Sequence, residues 1–365
     1  MRDRPMRAKL VPWLGLLLLP GMLLPQACLS FETAYNLRAV DNTILPGYQR
    51  LADETAALAK QTLVFCQQPS DPDLHRLQEQ FHLSMDSWQF IQTVRLGPIE
   101  EKLRGYRLHF WPDKRQSVSR HLAKLLNKAD PETLKSEAFA KGSVALQGFS
   151  ALERLLFAAD NQPGEFSSDG PKAHHCQVMV AITRNMTGIA REIAAEWQTM
   201  KPSHRDLIAS AARGNQAYAD STEVSARLFN SLFTQIELML DRKLRAPLGE
   251  SQQRARGKRS ESWRSGRSLR NMALNLQSVH QLTQTAFLSR LVDPPLKRRI
   301  NELFQRSAQQ ISQIALPLAQ AVTDPIQRER VVELTQTLTA LKQALTEELA
   351  PALEIPIGFN SLDGD

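Results

Sequence analysis

Aromatic residues make up only 6% of this chain and cysteine occurs three times. No strand-like alternation of apolar and polar residues runs for a useful length, and runs of β-branched residues are few. Leu, Ala, Gln, Glu, Lys and Arg dominate instead, and these are the stronger helix formers. The scarcity excludes a β-rich fold and predicts an all-α protein. Equally absent is the zinc-protease pattern H-E-x-x-H, and no serine sits in a nucleophile elbow with a histidine at a recognisable spacing. About 330 residues follow the N-terminal export segment, more than one hydrophobic core usually serves, so two helical-bundle subdomains are expected.

That export segment has a basic start at Arg2, Arg4, Arg7 and Lys9, then a leucine-rich core from Leu10 to Leu24 broken by Pro20 and Gly21. The core is too short and interrupted for a spanning helix, which needs about 20 apolar residues, and it reads as a signal peptide over residues 1–27. The expected destination is the periplasm. Cys28 is a candidate lipidated cysteine that would anchor the chain to the outer membrane; ordinary cleavage near Ala27 or Ser30 is the alternative. In an oxidising compartment Cys66 and Cys176 remain as a candidate disulfide, against the alternative of two separate buried thiols.

The net charge of +7 is local. Between Asp241 and Arg270 ten cationic residues face three acidic ones, so this window alone contributes +7, and the export segment adds +3. Arg254 to Arg259 are densely like-charged and bracketed by Gly249 and Gly257, which predicts a solvated loop over residues 248–261. Only Trp263 interleaves with the basic residues, so nucleic acid is not the expected partner.

Helical punctuation is clear elsewhere. Asp130-Pro131 and Asp324-Pro325 are N-caps with proline in the first turn, and Ser203 with Asp206 forms an approximate capping box. Residues 144–159 read as one apolar helix, 172–200 as a long one, 222–245 as another, and 325–349 as an amphipathic helix with a stripe from Val331 to Leu349. Pro202 is the natural boundary, giving an N-terminal bundle over 31–201 and a C-terminal bundle over 202–365.

Within the first of these, Gly148-Phe149-Ser150-Ala151-Leu152-Glu153 resembles the G-x-H-x-x-E signature of the imelysin family, also classed as peptidase family M75. Ser150 stands where that signature has histidine. Ser87-Trp88-Gln89, Leu96-Gly97-Pro98-Ile99-Glu100, Phe110-Trp111-Pro112-Asp113, the block from Glu261 to Ser268 followed by Asn275-Leu276, and the C-terminal Gly358-Phe359-Asn360 to Asp365 resemble further blocks of the family in order. The resemblance implies two helical-bundle halves and an association with iron uptake or regulation.

Read as side chains, Glu153 lies among Leu152, Leu155, Leu156 and Phe157, where a carboxylate needs a partner; Arg264 or Arg267 is the expected one. Gln147, Ser150 and Glu153 are expected on one polar strip. The candidate ligand-binding set is Ser150, Glu153, Ser262, Arg264, Arg267, Ser268 and Asn275, groups that suit a small polar or anionic ligand better than a cation. No catalytic residue and no resident metal are assigned. His174, His175 and Cys176 form the alternative metal cluster for iron or copper. The expected function is a non-catalytic binding or accessory component of the cell envelope linked to iron. The alternatives are a metallopeptidase and a partner-docking lipoprotein that uses its basic loop.

Overall fold

The computed structural model describes residues 31–128 and 130–356. The signal segment, Cys28 and the block 357–365 lie outside the described residues. All regular structure among the described residues is helical, as the composition predicts.

The longer helices are α1 (Phe31–Ala39), α2 (Leu45–Gln67), α3 (Asp71–Ile91), α4 (Ser117–Lys128), α5 (Phe149–Leu156), α6 (Ala173–Gln198), α7 (Ser221–Glu237), α8 (Ser268–Leu282), α9 (Pro294–Gln313) and α10 (Pro325–Gln343). α2 lies between α3 and α6, α9 pairs with α10, and α8 bridges the two groups by packing on α3, α7 and α9. α1 packs against α7, where Asn36 donates to the Ser221 carbonyl at 2.9 Å and accepts from Ser225 at 3.0 Å. The first described helix thus covers the later half of the chain.

Local signals act as read. Ser203 and Asp206 close a capping box, each backbone N–H donating to the other's side chain at 3.1 and 3.0 Å. Asp324 Oδ1 accepts from Gln327 N at 2.8 Å, and Val331, Leu334, Leu338, Leu341, Leu345 and Leu349 are all buried. The basic segment is a loop with two single 3₁₀ turns, Gln252–Arg254 and Gly257–Arg259, and its arginines are exposed. It is nevertheless docked: a Cβ on Gly257 would stand 2.0 Å from the Ala319 carbonyl oxygen, the Arg256 N–H donates to the Pro247 carbonyl at 2.7 Å and Gln252 Nε2 to the Thr323 carbonyl at 2.7 Å.

Two readings are corrected. Residues 144–159 do not form one helix: a 3₁₀ turn, Val144–Leu146, is separated from α5 by Gly148, whose extended backbone (φ −148°, ψ −158°) caps α5. The segment 222–245 is not uniformly α-helical either. After α7 it widens into a π-helical stretch, Leu238–Arg245. Widening of this kind shifts the side-chain register and is frequent at functional sites. Here it places Lys243 inside the protein while neighbouring Arg242 reaches a cavity wall.

Cys66 and Cys176 are joined in a disulfide with Cα atoms 5.5 Å apart, which tethers the end of α2 to the start of α6. The bridge closes a loop with a sequence separation of 110. In the chain-entropy account, constraining a loop that long stabilises by about 5 kcal/mol. Cys66→Ala/Cys176→Ala is expected to lower unfolding free energy by about 2–4 kcal/mol in denaturant titration; an unchanged midpoint would show that the bridge constrains little.

Candidate functional site

The motif residues are held apart rather than gathered on one ligand. Gly148 is required by a close approach: its Cβ would lie 2.0 Å from Leu108 O and 2.4 Å from Arg107 O. Starting α5 against that strap lets Ser150 Oγ donate to the Phe110 carbonyl at 3.0 Å. One turn on, Glu153 is 7% exposed. Its Oε1 accepts from the Ser265 backbone N–H at 3.0 Å and from Ser265 Oγ at 2.6 Å. The expected arginine partner is therefore corrected to a serine. Burial raises the Glu153 pKa above the ordinary carboxylate range, with the two Ser265 bonds and the charge of Arg264 opposing that rise. Gln147 precedes the Gly148 break and leaves the expected strip: its amide donates to the carbonyls of Phe139, Ala140 and Gly142 and its oxygen accepts from Arg107 at 2.6 Å.

The second-half block builds a different structure, a sealed polar seam between α3 and α8. Lys243 and Glu261, each 1% exposed, pair at 2.7 Å. Lys243 Nζ also donates to Gln89 Oε1 at 3.0 Å and to Asn275 Oδ1 at 2.6 Å, filling its three donor positions. Glu261 accepts further from Asn271 at 2.8 Å and from Gln89 at 3.3 Å. Asn275 Nδ2 donates back to the Gln89 carbonyl at 2.6 Å. Burial pulls Lys243 below the usual lysine range. The same burial pushes Glu261 upward, but Lys243, His109 and Asn271 outweigh it and hold the carboxyl low. The pair is charged and matched.

Arg267 is equally committed, donating to Asp86 Oδ1 at 2.5 Å, Asn271 Oδ1 at 2.7 Å and the His82 carbonyl at 3.0 Å, and meeting His82 Nδ1 at 2.9 Å. Ser268 Oγ donates to the Glu261 carbonyl. Ser262, at a left-handed φ of 49°, accepts through its hydroxyl from Asn271 at 3.3 Å. Arg264 instead lies over the Trp263 ring at 4.3 Å. Of the candidate set, the structure thus brings Ser262, Arg267, Ser268 and Asn275 into the seam. Glu153 and Arg264 stand at its margin, and Ser150 is tied to a separate strap. Gln89, Lys243, Asn271, Asp86, His109 and Ser265 were missed. Lys243 gave no clear signal, because it sits between Arg242 and Arg245 in a run of charged residues.

A cavity of about 540 Å³ opens beside the seam, with Trp88, Gln92, His109 and Trp111 in its wall. Lys243 Nζ lies 5.7 Å from the Trp111 ring centre. His109 is buried 3.7 Å from Glu261, and burial, with Lys243 and Arg267 nearby, pushes its pKa down to about 4 despite the carboxylate. Burial lowers His204 and the half-buried His82 to about 4 as well. These imidazoles are neutral when folded but accept protons below about pH 6.5 when unfolded. The unfolded state therefore binds more protons, and stability falls as pH drops from 6.5 towards 4. The expected loss is on the order of 3 kcal/mol for His109, with less for the more solvated His82. Urea midpoints measured across that range should fall, and His109→Gln should flatten the slope.

A transition metal does not fit these donors. Ser150 is spent on a carbonyl, Glu153 is capped by Ser265, and the acid nearest His109 already holds an ammonium ion. The alternative cluster is corrected too: Cys176 is in the disulfide and has no thiolate to offer, and His174 contacts Gln177 and the Leu125 carbonyl. No group of three or more His, Cys, Asp or Glu among the described residues is placed to hold a metal ion.

Fold and motif define a class: all-helical proteins with a motif helix sealed by a later block of the chain. More particularly, the chain belongs to the imelysin family, whose profile matches residues 44–345. It is similar to iron-regulated protein A of Synechococcus elongatus, 20% identical over 339 residues that cover 90% of this chain and 88% of the relative. The crystal structure of an imelysin-like protein from Psychrobacter arcticum superposes with a TM-score of 0.74 at 21% identity, covering 90% of this chain and 97% of the other.

Proposed function

We propose that this imelysin-family chain is a non-catalytic binding or accessory component of the cell envelope, linked to iron uptake or regulation, and that it takes a small polar or anionic ligand between its two helical halves, in the cavity beside the sealed α3–α8 seam. The observation that carries the reading is the saturated donor set of the motif. With Ser150 in the histidine position and Glu153 capped by Ser265, no metal-activated water or nucleophile is available for peptidase chemistry. The relative named iron-regulated protein A supports the iron link. The Cys66–Cys176 disulfide is in keeping with an oxidising, exported destination.

Elemental analysis after incubation with iron, copper or zinc and desalting tests the reading. Substoichiometric metal, unchanged by Glu153→Ala, is expected, together with no hydrolysis of unfolded protein substrates. Stoichiometric metal that is lost on Glu153→Ala would replace this reading with the metallopeptidase one. Localisation is checked by cell fractionation and by labelling with a palmitate analogue, which reports on Cys28.

A further inference from the structure

The cavity beside the seam is not lined as a passive void. Among the described residues its charged wall includes Arg95 and Arg242, with Glu100 the acid that lines it beside them. The other buried cations among the described residues are matched. Arg104 forks onto Glu196 with two bonds of 2.6 Å, Lys243 has Glu261, and Arg267 has Asp86. Arg95 and Arg242 differ: among the described residues neither side chain makes a hydrogen bond or an ion pair, and Arg95 Nε is fully buried without a partner. Arginine does not shed its proton in a protein, so a partly buried, unmatched guanidinium calls for a counter-anion.

A second, independent donor lies in the same wall. Trp88 is 4% exposed and its indole Nε1 has no hydrogen-bond partner, whereas a buried indole N–H usually finds one. The unmet groups are thus donors, and the carboxylate of Glu100 is too little to answer them. Apart from Gln92 and His109 the rest of the wall is largely apolar and aromatic, with Trp111, Tyr106, Val94, Ile99 and Leu238. A volume of 540 Å³ lies in the range of small-molecule sites, about 300–1,000 Å³. The frame is fixed as well: the Arg95 backbone N–H donates to Ser231 Oγ of α7 at 3.1 Å, pinning the segment after α3 to the later half of the chain.

We propose that this cavity binds a small carboxylate with a flat apolar body, its charge met by Arg95 and Arg242 and its body lying against Trp88 and Trp111. The proposal rests on the reading of the chain as a binding protein and names the class of its ligand. Bare phosphate would leave the apolar wall unused, and a neutral aromatic would leave the guanidinium groups unanswered.

The test is calorimetric titration of the full mature chain with naphthalene-2-carboxylate, with neutral naphthalene-2-methanol, and with inorganic phosphate. Saturable binding of one carboxylate per chain is expected, with the alcohol and phosphate weaker by about tenfold or more. Arg95→Met and Arg242→Met should each weaken the carboxylate by about tenfold, and Trp88→Phe by less. Thermal melts establish that each variant is folded; if Arg95→Met is not, Arg242→Met carries the test alone. No carboxylate binding, equal binding of the alcohol, or unchanged affinity in the folded arginine variants would overturn the proposal. Stoichiometric metal at Glu153 would overturn the non-catalytic reading instead and leave these titrations as they are.

Discussion

Replacing Lys243 with methionine destabilises the chain by about 3–5 kcal/mol, because it leaves Glu261 ionised and buried without its ammonium partner. Three acceptors lose their donor at once: Gln89 Oε1, Glu261 Oε2 and Asn275 Oδ1. Glu261 keeps only Asn271 at 2.8 Å and Gln89 at 3.3 Å. The double change Lys243→Met/Glu261→Gln removes both charges and should recover about 2 kcal/mol of that loss, since an unpaired buried charge costs more than the pair is worth. Urea unfolding of the two variants gives both numbers. If the double variant is as unstable as the single one, the ion pair is not what holds α3, the π-helical turn and α8 together.

The second large effect is expected at Gly148. Its backbone angles are extended and open to any residue, so conformational freedom is not the reason for glycine. The reason is contact: an added Cβ meets two backbone oxygens, Leu108 and Arg107, at 2.0 and 2.4 Å. Backbone atoms cannot swing aside, so α5 must lift from the strap, carrying Ser150 away from Phe110 and Glu153 away from Ser265. Gly148→Ala should cost about 4 kcal/mol or more, in the range that marks strain or a broken buried network. Gly188 is the matched control. It lies within α6, its added Cβ meets nothing within 4 Å, and Gly188→Ala should stabilise by about 0.5–1 kcal/mol. Equal effects at the two glycines would dispose of the contact argument.

Helices were legible wherever caps and stripes agreed. Asp324, Pro325 and the leucine stripe act locally, and local chemistry is what a sequence displays. The break at Gly148 was not legible, because its cause is a carbonyl forty residues earlier in the chain. The same holds for Glu153. Its need for a partner could be read from its apolar neighbours, whereas the identity of that partner depended on how the loop after Trp263 folds. Lys243 was counted in a basic run on the surface because charge alone does not report a π-helical shift of register. Gln89 falls in a family-like block and His109 just ahead of another, and they become part of the seam only when α3 and α8 meet. That Arg95 and Arg242 have no partner among the described residues is likewise a statement about neighbours, invisible until the cavity is closed around them.

The disulfide divides the seam covalently. Cys66 and Cys176 close a ring containing Gln89, His109 and Glu153, whereas Lys243, Glu261, Ser265 and Asn275 lie on the open chain beyond it. The seam is therefore a joint between a loop that cannot be pulled straight and a tail that can. Stretched between its ends, the oxidised chain would pay out about 370 Å less length than the reduced one, at roughly 3.4 Å for each of the 110 residues shielded. Force would peel the Lys243 side from the seam first, leaving Gln89 and His109 on a knot of helices that only a reductant can unravel.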